Sequence, residues 1–493
     1  MAIDTKLNTV ENGVSGIRDA IQNINSNMGK GHINTLDNDI EKLSNQNNFI
    51  HKVLKQAVTE TTTDPDTGEE TTEVTGYDYV NQSEYVGPNY TAIPASKYIN
   101  NTELSEVIIP DSVTTINNYV FRGCTNLSYI NLENIKTINT MAFENCFKNV
   151  SFSINDPNLT SIGSGVFYGS GIVKIENLGK ITSIPNHVWA DSAYKGAFAY
   201  CNKLENVVLP NTLKTIGSYA FYNCTNLKTI DLPSTITTIN ESIFLNCTKL
   251  EIDVNLPNLT SMTGPAVFKN SGIKSVSSLG HISTMYSGAG SSSAFYNCTK
   301  LTEVTLPDEM INLKAPWFLN CTALTTIHWN SNNITRIDQT FQNTRLEIDD
   351  LSLPSLTYLG HSSFINCRIK KISNLGSITA INEYSSSYTS SPFYNCTLLE
   401  EITLPSTFTS FSRRSFGKCT SLNKVIMLCT TPPTTVATIS SMFENATAAY
   451  NACKFYVPYS EDHSVLNAYQ TATNWSAVAS RIYELNSDGS IPT

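Results

Sequence analysis

The residues of this 493-residue chain that most invite a chemical reading are its twelve cysteines, ten of which stand three residues after a phenylalanine. The pairs are Phe121/Cys124, Phe143/Cys146, Phe198/Cys201, Phe221/Cys224, Phe244/Cys247, Phe295/Cys298, Phe318/Cys321, Phe364/Cys367, Phe393/Cys396 and Phe416/Cys419. Regular thiols can build a disulfide framework, hold zinc or supply a nucleophile. After four further phenylalanines, however, the same place holds Ser170, Ser271, Thr344 or Ala446. A place that accepts Cys, Ser, Thr and Ala is a small buried packing position, and a free thiol packs as a small hydrophobe. The cysteines are therefore expected to be stacked core thiols. Five Asn-Cys-Thr triplets match the glycosylation pattern, but their asparagine precedes the buried cysteine and is read as closing a turn.

No other constellation points to chemistry. The histidines (His32, His51, His187, His281, His328, His361, His463) form no HExxH or His-x-x-x-His and no zinc spacing with cysteine. There is no Gly-rich phosphate loop and no G-x-S-x-G. The chain is expected to be non-enzymatic, with no catalytic residue, metal or cofactor. A net charge of −10 without a basic run excludes nucleic acid as the natural partner. The first residues lack a basic stretch followed by an apolar one, and no segment approaches the length of a membrane span, so neither export by a signal peptide nor membrane insertion is expected.

What positions the cysteines is a repeat. Fourteen phenylalanines, from Phe121 to Phe443, recur most often every 23 residues, inside the leucine-rich-repeat range. One unit reads Leu227, Ile230, Leu232, Pro233, Ile236, Ile239, Phe244, Cys247. Apolar alternation before each proline predicts a short strand that the proline ends. A unit cannot bury its own apolar face, so units stack into a solenoid of about 14 coils. Longer blocks, marked by Gly179, Gly280 and Gly376, recur about every four coils, each followed by an insertion: "PNHVWADSAYKG", "YSGAGSSS" and "NEYSSSYTSSP". Solenoids commonly bind through such insertions. Their aromatics, Trp189, Tyr194, Tyr286, Tyr384 and Tyr388, are the expected ligand-binding residues. The rival surface is the strand face, with Thr229, Asp231, Glu303, Thr305, Thr326, His328, Glu401 and Thr403 turned outward.

The repeat unit resembles the BspA-type leucine-rich repeat over about residues 102–459, and "TTPP" followed by 454–482 is similar to the strand-and-helix segment that closes such arrays. The resemblance implies a mainly β, bent two-sheeted solenoid used for adhesion or protein binding, with no catalytic residues to transfer.

The N-terminus is different. Ile3, Leu7, Val10, Val14, Ile17, Ile21, Ile24 and Met28 alternate spacings of four and three, as at the a and d positions of a coiled coil. The pattern resumes through Ile33, Leu36, Ile40, Leu43, Ile50 and Leu54, with Asn47 out of place. Residues 1–58 are expected to be helical and to oligomerise, with β-branched seams favouring a homotrimer; two helices folded back on each other are the alternative. Residues 59–101 read as a Thr/Glu-rich linker or hairpin, 102–453 as the solenoid and 454–493 as a small strand-helix cap.

The first 30 residues or so resemble attachment helices of bacteriophage tail proteins. That implies a virion component, a tail fibre or receptor-binding protein, that meets a host-cell surface protein or glycan while its N-terminus contacts other tail proteins. The alternatives are a microbial or protist BspA-like surface adhesin or scaffold, and a glycan-degrading tail protein whose paired carboxylates meet across coils.

Overall fold

In the computed structural model the described residues are 48–63, 70–85, 91–262, 264–286, 288, 290–381, 390–435 and 438–492. The chain forms two compact units, Met1–Lys180 and Ile181–Thr493. Among the described residues both are mainly β solenoids, with about 16 turns in all. A turn contains a strand on one face, a two-residue strand on a second face, and a tight corner that carries the phenylalanine. In the second unit the first face stacks Asp253–Asn255, Ser275–Ser278, Glu303–Thr305 and Thr326–His328 in parallel. Its second face stacks Ser183–Ile184, Thr215–Ile216, Thr238–Ile239 and Ser261–Met262. The proline ends the first strand and starts the bend. The carbonyls of Pro210, Pro233, Pro307 and Pro405 each accept the N–H three residues on, as in Leu213 to Pro210 at 3.0 Å.

The corner explains the phenylalanine and its neighbours. The residue two after it adopts the left-handed backbone conformation, and at many corners so does the residue two before, as in Ser242 (φ 53°) and Asn246 (φ 65°) around Phe244, or Gln339 (φ 58°) and Asn343 (φ 61°) around Phe341. Asparagine tolerates that region better than other side-chain-bearing residues, which is why the later position so often holds Asn. The Asn-Cys-Thr triplets are therefore corner closures. Between the two positions the phenylalanine N–H donates to the next turn, as Phe244 does to the Val267 carbonyl at 2.8 Å.

The rings themselves stack. In the second unit Phe198, Phe221, Phe244, Phe268, Phe295, Phe318, Phe341, Phe364 and Phe393 form a column with centroids 5.2–5.9 Å apart. In the first unit Phe121, Phe143 and Phe167 continue a column that begins at Tyr98, 5.5 Å from Phe121. Tyr98 opens a turn that a count of phenylalanines misses, so the expected 14 coils fall short.

All twelve cysteines are free and buried. Most of the corner thiols donate across turns to a backbone carbonyl, as Cys247 does to Phe221 (3.1 Å), Cys321 to Phe295 (3.0 Å) and Cys419 to Phe393 (3.2 Å). Burial pushes Cys247, Cys367 and Cys419 up to about 12, so the reactive thiolate is suppressed. Ellman titration without reductant therefore finds no reactive thiol in the native protein and all twelve in guanidinium. A denatured count near zero would mean disulfides, and rapid native reaction would mean exposed thiols.

The N-terminal expectation needs correction where it can be read. Residues 48–58 are not helical: Asn48–Thr63 is a strand, paired antiparallel with Glu70–Tyr85 and, from Ile50 to Val53, with Leu104–Ile108. The β-branched and Thr-rich sequence favours extension, and the strand also pairs the open edge of Leu104–Ile108. Ile50 and Leu54 therefore belong to a sheet and not to a heptad seam. The paired strands Asn48–Thr63 and Glu70–Tyr85 thus begin before residue 59, where the linker or hairpin was expected to start. The seam residues Ile3, Leu7, Val10, Val14, Ile17, Ile21 and Ile24 lie outside the described residues.

Within the first unit one core position departs from the repeat. Asp156 stands where other turns place Leu132, Leu256 or Leu306, and like them it is buried. Its Oδ1 accepts the Asn158 N–H at 3.2 Å, whereas its Oδ2 is buried without a hydrogen-bond partner. Desolvation raises its carboxyl from 3.8 to about 7.

At the C-terminus the strand Lys454–Val457, the helix Ser464–Thr471 and the strand Ile482–Glu484 follow the last phenylalanine turn. The Tyr469 hydroxyl donates to the Cys429 carbonyl at 2.8 Å, and Trp475 Nε1 donates to that of Pro433 at 2.9 Å.

Candidate binding surface

The first insertion folds as a hairpin on the second unit. Val188–Ala190 pairs antiparallel with Ala193–Lys195, placing Trp189 directly opposite Tyr194. The two linking residues, Asp191 (φ 48°) and Ser192 (φ 60°), are both left-handed, as a type I′ turn requires. Neither is glycine, and an ion pair supports the strained turn: Lys195 Nζ lies 2.5 Å from Asp191 Oδ2, with the lysine side chain only 2% exposed.

The hairpin rests on rings. Tyr194 stacks on Tyr219 at 4.7 Å and 18°, and Trp189 meets Tyr194 edge to face at 4.6 Å. The His187 ring stands edge-on to Tyr194 (4.9 Å) and Tyr219 (4.8 Å), its Nδ1 buried without a hydrogen-bond partner. Tyr219 in turn meets Tyr222, and Tyr222 meets Tyr200. Despite this support Trp189 remains 59% and Tyr194 45% exposed. Two large rings are thus held rigidly in water, the condition under which ring burial by a ligand gains most at least entropic cost.

Of the expected binding residues the structure brings together Trp189 and Tyr194. Tyr286 makes no ring contact with them among the described residues. Its ring lies against Gly288, and its carbonyl accepts Trp317 Nε1 at 3.1 Å, so its loop is folded partly onto its own solenoid. Tyr384 and Tyr388 lie outside the described residues. The sequence reading missed His187, Tyr219, Tyr222 and Tyr200. Tyr219 occupies the left-handed place two before Phe221, and the only signal for it is a bulky aromatic where other turns carry Ser242, Ala266 or Ser362.

The strand face is occupied differently. Several of its acids are held by basic side chains of neighbouring turns: Glu251 by Lys300 (2.5 Å) and Lys274 (2.9 Å), Glu401 by Lys371 (3.0 Å) and Lys424 (3.4 Å), and Glu303 by His328 (2.5 Å). Lys300 and Lys274 hold Glu251 down to about 2. Glu251 and Glu401 are paired with lysines and Glu303 with a histidine ring, not with each other as a glycosidase dyad would be. Among the described residues no group of His, Cys, Asp and Glu is arranged to hold a metal, and no helix is long and apolar enough to cross a membrane.

Short parallel strands, a proline-ended first face and a buried corner column define a leucine-rich-repeat solenoid. The chain belongs to the BspA-type family: the model "BspA type Leucine rich repeat region (6 copies)" matches residues 91–195, 191–289, 291–391 and 381–452. Among solved structures it is similar to a leucine-rich repeat protein from Bacteroides ovatus (19% identity, 88% of this chain and 99% of that one, TM-score 0.43). It is also similar to one from Eubacterium ventriosum (19%, 56% and 80%, 0.35). A third is a leucine rich cell surface protein from Faecalibacterium prausnitzii (19%, 85% and 98%, 0.28). No curated protein matches the chain.

Proposed function

We propose that the chain is a non-enzymatic recognition protein, an adhesin-like member of its family that engages a cell-surface ligand through the Trp189–Tyr194 hairpin. The observation that carries this reading is a pair of exposed rings braced from beneath by Tyr219 and His187 and by the ion pair of the buried Lys195 with the exposed Asp191. The solenoid turns do not require the hairpin, because other turns close in five residues, as from Ile216 to Phe221. Rigid aromatics of this kind are typical anchors of binding energy. Carriage on a virion tail is the narrower form of the reading; it rests on the heptad of residues 3–28 and would add a carrier without changing the surface that binds.

Trp189→Ala should weaken adsorption of the full chain to whole bacterial cells by about 2 kcal/mol or more, roughly thirtyfold. Because the ring is largely in solvent, the melting midpoint should stay within about 2 °C of the parent. Parallel assays on protease-treated cells report whether the ligand is protein or glycan. Undiminished adsorption by the variant would place the binding site elsewhere.

A further inference from the structure

The corner asparagines of the second unit do more than close turns. Asn343 Nδ2 donates to Asn320 Oδ1 at 2.8 Å, Asn366 to Asn343 at 2.7 Å and Asn395 to Asn366 at 2.6 Å, a continuous row of side-chain amides. An amide has two N–H groups and two acceptor lone pairs, so Asn343 and Asn366 each spend one of each on the row and keep one of each. All four stand at φ between 61° and 66°, which fixes their direction. They floor an open trough of about 840 Å³ whose side carries Arg345 and Arg368. Arg368 is paired with Glu347 at 2.8 Å. Arg345 is exposed and, among the described residues, makes no ion pair.

We propose that this trough is a second binding site, which takes a linear acidic polysaccharide with its hydroxyls on the amide row and a carboxylate on Arg345. Hydroxyls are donors and acceptors at once, as is each amide of the row. A guanidinium grips a carboxylate through two parallel N–H bonds. An acidic peptide fits less well. In an extended peptide the side chains that face one way recur every ~6.6 Å against rungs ~4.8 Å apart, so they fall out of step after the first rung. The amide row is preorganised by its backbone, so little ordering opposes binding.

The test is affinity electrophoresis of the full chain through gels containing polygalacturonate, with amylose and poly-L-glutamate as comparison probes. The parent protein should be retarded by polygalacturonate more than by either comparison. Arg345→Ala should weaken the retardation by about tenfold, and added salt should weaken it in the parent. Asn343→Gly/Asn366→Gly, which removes two amides but keeps the left-handed backbone accessible, should weaken it further. Lys370→Ala removes the same charge from the strand face and should change nothing. Absence of retardation, equal retardation of Arg345→Ala and Lys370→Ala, or stronger binding of poly-L-glutamate would each overturn the proposal.

Discussion

Replacing Phe268 with alanine is expected to destabilise its part of the second unit by about 3–5 kcal/mol, the usual loss for a fully buried aromatic. Phe268 is inaccessible to solvent and stacks on Phe244 (5.4 Å) and Phe295 (5.2 Å), so truncation opens a cavity and breaks two ring contacts at once. Its corner N–H donates to the Ala294 carbonyl and depends on the same close approach of turns. Stacked repeats couple to their nearest neighbours, so the loss should be local. Hydrogen exchange should accelerate at amides of residues 244–318 and remain near parental in residues 454–484. A change below about 1 kcal/mol would mean that the column fills space without holding the turns together.

Asp156→Leu is expected to do the opposite in the first unit, and most strongly where the carboxyl would be charged. Folding raises this carboxyl from 3.8 to about 7. Below about pH 4 it is protonated in both states and its titration costs nothing. As pH rises, the unfolded chain ionises first, so the protein loses stability until about pH 7 and stays at that lower level above it. The gap corresponds to roughly 4 kcal/mol at pH 8, which Asp156→Leu should recover while restoring the residue type that other turns bury at this position. Urea titrations at pH 4 and pH 8 separate the two contributions. A gain equal at both values would mean added apolar packing alone; no gain at pH 8 would mean that the buried oxygen is better accommodated than its surroundings indicate.

The repeat was legible because it rests on side-chain type: period-2 apolar positions, a proline at the strand end and a phenylalanine at fixed distance from a small residue. The thiol reading followed from substitution within the chain, Cys giving way to Ser170, Thr344 or Ala446, and the corner role of asparagine followed from its backbone tolerance. Tyr98 escaped because it opens its turn without the Phe-x-x-Cys phrase. Tyr219 escaped because the left-handed place it occupies accepts Met141, Ser242, Gln339 and Arg414 elsewhere and so carries no signature. The strand Asn48–Thr63 escaped because apolar spacings of four and three carried on into a segment whose β-branched content and free sheet partner favour extension. Trp189 and Tyr194 were found as insertion aromatics, but their pairing depends on a turn at Asp191–Ser192 that lacks the Asn-Gly signal of type I′ hairpins. The amide row depends on stacking register, which spacing in one chain does not reveal by itself.

The proposed recognition role is tested most directly by hydroxyl-radical footprinting of the full chain, free and adsorbed to cells. Trp189 and Tyr194, now 59% and 45% exposed, should be strongly protected on adsorption, with exposed rings away from the hairpin, Tyr459 and Tyr483, oxidised as before. If the adsorbed protein shows unchanged oxidation at Trp189 and Tyr194 and protection elsewhere, the hairpin is not the binding surface.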